Sequence, residues 1–156
     1  MKLICDINVE NDIKFKKMRK TATKTCIIDI EENAYQTGWL KIITDVENYV
    51  CVNTNNIQSI LNDIDNKILC YSSNIFEFSI DEMKNMYRPL YKSSCYLVVP
   101  LNSKTILFNN GNFYNKDKIK DVLKIDDDIR MIISFKKITF KDYELSVNIE
   151  LSQIEL

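Results

Sequence analysis

The chain of 156 residues contains no histidine, two glycines, two prolines and one tryptophan. Without histidine there is no imidazole base, no Ser-His or Cys-His nucleophile pair, no His-ligated zinc and no His-held haem. With glycine only at Gly38 and Gly111, the loops GxGxxG, GxxxxGK[ST] and GxSxG are all ruled out. No apolar stretch reaches 18 residues, and the opening MKLICDINVENDIKF carries acids and asparagines where a signal peptide would be apolar. The expectation is a soluble, cytoplasmic protein without a membrane partner. Cys5, Cys26, Cys51, Cys70 and Cys95 form no CxxC pair and sit in apolar or alternating segments, so they are expected to be buried, reduced thiols. Two carboxylates from distant strands could still make an active site that no sequence reveals. Apart from that, nothing marks an enzyme, and no catalytic residue, metal site or cofactor is expected.

What is present is isoleucine, asparagine, lysine and aspartate, which supply nearly half of the residues. This is the usage of an AT-rich coding sequence, and it speaks of the genome more than of the function. A net charge of −1 argues against coating nucleic acid through bulk charge, but the charges are segregated. No acid falls between Asp12 and Asp29, while Lys14, Lys16, Lys17, Arg19, Lys20 and Lys24 all do. Acids gather instead at Glu31-Glu32 and at Asp126-Asp127-Asp128. Three consecutive carboxylates on an extended chain point to alternate sides, so the latter reads as a solvated turn before it reads as a cation site.

The dominant period is two, with β-branched and aromatic residues throughout, which predicts strands at 2–9, 24–31, 37–44, 48–53, 91–99, 103–109, 129–137 and 143–154. The last is the clearest, with Tyr143, Leu145, Val147, Ile149 and Leu151 alternating with polar residues. Helical spacing interrupts the pattern at 55–65 and at 80–87, where Pro89 ends the run, and a further turn of helix is expected at 117–123. No repeat, linker or Pro/Gly/Ser-rich boundary divides the chain, so 1–156 is expected to be a single domain. The predicted fold is mainly β, a small β-barrel of the OB-fold kind with one or two short inserted helices.

The positive functional signal is aromatic residues interleaved with basic ones on strands. If Leu40 and Ile42 face the core, Trp39 shares an outward face with Lys41, the pairing that single-strand binding needs: a flat π-surface for a base and a cation for its phosphate. Trp39 as a core residue is the competing reading. Lys92 and Tyr96 share a face in the same way, as do Lys104 and Phe108. In the terminal hairpin Met131, Ile133 and Phe135 alternate with Arg130, Ile132, Ser134 and Lys136, so the outward face ends in a basic tip of Lys136, Lys137 and Lys141 with Phe140 within it. In OB barrels the loop joining the last two strands walls the ligand groove. A hairpin kept soluble by lysine is the bland alternative, as a solvated loop is for 14–24.

The order of these features resembles a known family. YVCVNTNNIQSILNDID resembles the strand, turn and helix early in the single-stranded-DNA-binding protein of short-tailed coliphages, and CYLVVP through TILFNNG to the final hairpin resembles that family's last four strands. The hairpin is also similar in pattern to that of poxvirus-type single-stranded-DNA-binding proteins. The resemblance runs from about Tyr49 to Leu156, in hydrophobic pattern and order more than in identities. It implies an OB-fold that coats single-stranded DNA with little sequence preference during replication or recombination, without catalysis, from an AT-rich virus or virus-like linear plasmid. It places Lys136, Lys137 and Lys141 beside the groove and Tyr96 and Phe108 on its floor. That family carries an acidic tail with a terminal aromatic, which this sequence lacks, so tail-mediated recruitment and dimerisation are not implied. The expected partner is single-stranded DNA. Single-stranded RNA, replication proteins and self-association are the alternatives, and a barrel subunit of a viral-type transcription or replication complex is the rival function.

Overall fold

The computed structural model describes residues 1–156. In chain order the strands are β1 (Lys2–Leu3), β2 (Arg19–Lys20), β3 (Cys26–Asp29), β4 (Tyr35–Lys41), β5 (Tyr49–Asn53), β6 (Tyr96–Pro100), β7 (Ile106–Asn109), β8 (Asn112–Tyr114), β9 (Asp128–Lys141) and β10 (Glu144–Glu155). The helices are α1 (Val9–Asp12), α2 (Gln58–Phe76), α3 (Ile80–Met86) and α4 (Lys116–Val122). The protein is mainly β, as the alternating pattern predicts. Its largest element is a mixed eight-stranded sheet in the order β1-β4-β9-β10-β7-β8, with β3 beside the second half of β9 and β2 outside β3. This sheet does not close on itself. β5 and β6 form a separate antiparallel pair, joined to the end of β4 by the bridge between Ile42 and Val52.

β9 is the axis. β10 lines its whole length on one side, while β4 pairs with its first half and β3 with its second half on the other. Ile129, Met131, Ile133 and Phe135 face inward by strict alternation, but Lys136 is an extra residue against β10, since Asn148 pairs with Lys137 and Ile149 with Phe135. This bulge flips the parity. Lys136 and Lys137 both lie outside, and Ile138 and Phe140 turn inward. A second bulge on β10 after Leu151 brings Ile154 back to the core, and a third on β4, at Gly38 with φ +71°, lets Thr37 and Leu40 both be buried. The buried Thr37 hydroxyl accepts the Met131 N–H at 3.0 Å and donates to the Gly38 carbonyl, which occupies polar backbone groups that the bulge leaves out of the ladder.

One continuous core joins the inner face of the sheet to α2 through Leu61, Ile64, Ile68 and Leu69. These recur at helical spacing, each fully buried side chain contributing about 1.5–3 kcal/mol. α2 runs to Phe76, far beyond the predicted 55–65, because Ile68, Leu69 and Ser72 continue the same face. It ends at Glu77 in the left-handed region, and Ser79 with Glu82 forms a capping box that starts α3. The predicted strand 2–9 is a second departure. After β1 the chain makes a 3-10 turn and then α1, because the Asn8 side chain caps the Asn11 N–H while Asp12 accepts the Asn8 N–H and pairs with Lys2. Tyr143, expected in the core, sits in the two-residue turn between β9 and β10 and is 74% exposed. Of the cysteines only Cys51 is buried, and burial pushes its thiol pKa up. Cys5 and Cys70 are exposed, Cys26 and Cys95 intermediate, and all five are free thiols. No helix is long and apolar enough to cross a membrane.

Candidate nucleic-acid interface

The outer face of the sheet carries a row that runs straight across five strands. Phe113 pairs with Phe108 between β8 and β7, Phe108 with Glu155 of β10, Glu155 with Arg130 of β9, and Arg130 with Trp39 of β4. At the spacing of hydrogen-bonded strands, five side chains in register span roughly 20 Å. Trp39 is 50% and Phe113 71% exposed. The Arg130 guanidinium lies over the indole, 5.0 Å from the ring centroid, and is held there by Glu155, which accepts from both its Nε and its Nη2. Phe108 and Phe113 meet edge to face with centroids 4.8 Å apart. Between Phe108 and Arg130 the surface sinks into a depression of about 450 Å³, whose lining includes Gln36, Asn109, Ile132 and Gln153. On the far side of the indole a second depression of about 380 Å³ is lined by Lys41, Ile43 and Asn53.

Leu40 and Ile42 are buried, and Trp39, Lys41 and Ile43 are exposed, so the alternation expected for this strand is the one observed. Lys41 pairs with Asp128 at 3.2 Å and donates to the Asp126 carbonyl. Arg130 and Phe108 join the same row. Sequence reasoning misses Phe113, although Asn110-Gly111 between two aromatic runs is a hairpin signal: both residues have positive φ, and the turn sets Phe113 opposite Phe108.

A second cluster lies further along the same face. Arg19, Lys136 and Lys137 gather with Asp29, Asn148 and Glu150 around a depression of about 440 Å³. Its charges are largely matched: Arg19 pairs with Asp29 at 2.8 Å and Lys136 with Glu150 at 3.6 Å, while Lys137 has no ion-pair partner. Hydrogen bonding from Arg19 holds the Asp29 carboxyl below its ordinary pKa and raises that of Arg19 itself. Next to it, between β6 and β10, Lys92 stands 5.4 Å from the Tyr96 ring centroid in a depression of about 370 Å³. The two depressions share Pro100, Asn148 and Ile149, so Lys92 and Tyr96 adjoin the basic cluster and not the aromatic row.

The remaining predicted residues are dispersed. Lys14, Lys16, Lys17, Lys20 and Lys24 are all exposed, with Phe15 and Met18 turned inward against the core. Segment 14–24 is not a free loop: Lys16 donates its N–H to Asp29, Glu31 donates to Lys14, and Arg19 and Lys20 pair with β3. Lys104 lies in the turn before β7 and Lys141 at the tip of the long hairpin, where it pairs with Glu144 in register. Phe140 is a correction. It packs inward on Phe76 and Phe78, with centroids at 4.5 and 6.2 Å, because the bulge at Lys136 reverses the face on which it would otherwise stand.

Asp65 is the one buried acid, 3% exposed. Burial raises its pKa, and hydrogen bonds from the Tyr87 hydroxyl and the Leu90 and Tyr91 N–H groups, all within 2.9 Å, partly offset that. Its carboxylate is thereby occupied in fixing the segment after α3. Burial also raises the Tyr87 pKa. No protein-family model matches the chain, and no curated protein is significantly similar to it in sequence.

Proposed function

We propose that this protein binds single-stranded nucleic acid, DNA in the first place, by stacking bases on the outer face of its sheet while Lys and Arg track the phosphates. The observation that carries the reading is the cross-strand row of Phe113, Phe108, Arg130 and Trp39, two exposed rings, a partly buried third and a guanidinium plane presented on rigid strands. Sequence-tolerant stacking of this kind contributes about 1–3 kcal/mol per base. Arg19, Lys136 and Lys137 lie roughly 20 Å further along β9 at about 3.3 Å per residue, on the same face, where a strand laid across the row could continue. The protein is read as a binder and not a catalyst, since its one buried carboxylate is engaged by Tyr87, Leu90 and Tyr91.

The barrel reading belongs with this proposal. β4 passes to β5 through Ile42 and Val52, β5 pairs with β6, and β6 lies beside β10, which pairs with β9 and so returns to β4. An OB-like barrel unlaced between β6 and β10 fits that circuit. It keeps the replication-type single-strand binders of phage and poxvirus kind as the functional analogy.

Trp39 is the only tryptophan, so its fluorescence reports the site. Titration with a single-stranded 20-mer should quench it and a duplex of equal length should not, with the log of the affinity falling by about 0.7 per phosphate contacted against the log of salt. Absence of binding, or a preference for duplex, sinks the proposal. Matched RNA distinguishes the two sugars. Co-purification with a polymerase in the absence of autonomous binding would favour the rival, a barrel subunit of a transcription or replication complex.

A further inference from the structure

The proposed binding face contains one group that a tracker of phosphates does not need. Glu155 stands in the middle of the row, where its charge opposes any phosphate. Both hydrogen bonds from Arg130 fall on its Oε2. Oε1 receives none from the protein, and Glu155 lines the same depression as Gln36, Asn109 and Gln153, whose side-chain amides are likewise without protein partners. An unengaged acceptor and three unengaged amides around a recess beside an aromatic ring make a site for the edge of a flat, donor-bearing molecule.

We propose that Glu155 reads the amino edge of one base in this depression, so that the protein prefers single strands containing guanine to strands of thymine alone. The inference rests on the single-strand reading above. Guanine presents adjacent N–H donors at N1 and N2 on its Watson–Crick edge, and Oε1 has two lone pairs to accept them. Adenine and cytosine offer one amino group each. Thymine presents a single N–H between two carbonyls, which repel a carboxylate. Exposed edges of unstacked bases are what single-strand readers recognise, and Arg130 holds the carboxylate in place from its other oxygen.

The test uses the intact protein and two 20-mers of equal charge, one of thymine alone and one with an isolated guanine at every third position, followed by Trp39 fluorescence. The guanine strand is expected to bind about tenfold tighter, and inosine in its place, which lacks the 2-amino group, should lose part of that advantage. In Glu155→Gln the two strands should come within about twofold of one another, a loss of discrimination that release of a mere prop for Arg130, which would raise the affinity of both strands alike, would not give. Equal affinity of the unmodified protein for both strands overturns the preference and leaves the single-strand reading standing. Failure of both strands to bind overturns the two together. A guanine preference undiminished by inosine or by Glu155→Gln overturns the role of Glu155.

Discussion

The two ends of one sheet face are built on different principles. At the Trp39 end, ladder register aligns side chains from five strands, and what is offered is π-surface with a single Arg-Glu pair inside it. At the Lys137 end the register is broken by a bulge, and what is offered is charge, most of it already answered by Asp29 and Glu150. Stacking depends little on ionic strength, whereas exposed charge pairs are weak and screened within a Debye length of about 8 Å at physiological salt. On the proposed reading the aromatic end should therefore set affinity at physiological salt. The basic end should set how steeply that affinity varies with salt.

The largest expected effect separates core from face. Phe140→Ala removes an inward ring packed on Phe76 and Phe78 and should lower stability by about 2–3 kcal/mol, or roughly 5–10 °C in Tm, without weakening nucleic-acid binding at temperatures where the variant is folded. Trp39→Ala should do the reverse: stability changed by less than about 0.5 kcal/mol and affinity down roughly tenfold or more, equally at low and high salt. Thermal melts and titrations of the two variants side by side check the pair. If Phe140→Ala loses affinity while folded, the basic end also stacks bases and the division of labour is wrong.

That division is half legible in the sequence. Alternation places Trp39 and Lys41 outside with Leu40 and Ile42 inside, because a half-buried strand declares its faces in a period of two. It fails at Phe140 because alternation cannot see a register shift, although two lysines between Phe135 and Ile138 are the trace of one: neither is comfortable in the core, so the strand accommodates an extra residue. Phe113 is readable from its Asn-Gly turn. The row itself is not, since β7 meets β10 in parallel only after the chain has passed through α4 and the long hairpin. Asp65 is hidden for a similar reason. On a helix it reads as a solvated charge, and only the return of residues 87–91 encloses it.

A smaller effect sharpens the contrast through salt. Lys136→Gln with Lys137→Gln should reduce affinity a few-fold at low salt and hardly at all at high salt, with the salt slope shallower by about 0.7 for each phosphate that is no longer neutralised. The same double substitution should leave the quenching of Trp39 at saturation unchanged, because neither lysine adjoins the indole. A parallel downward shift of the whole salt plot, with unaltered slope, would place these lysines outside the phosphate path.

The smallest effect comes from releasing a matched charge. Arg19 lowers the Asp29 pKa, so the stability this pair contributes is fully present above the ordinary carboxyl value near 3.8 and is lost as pH falls through the lower folded value. Asp65, raised by burial, acts oppositely: its folded form holds its proton to higher pH, so it loses stability as pH rises from 3.8 through its folded value. Asp29→Asn removes the first contribution alone. Its urea midpoint should fall slightly below that of the unmodified protein at pH 7 and converge with it in acid, where both have lost the pair. At pH 7 the variant also frees Arg19 for phosphate, steepening the salt slope by up to about 0.7. A variant with the midpoint change but an unchanged slope would show that Arg19 braces β2 against β3 and takes no part in the basic end of the face.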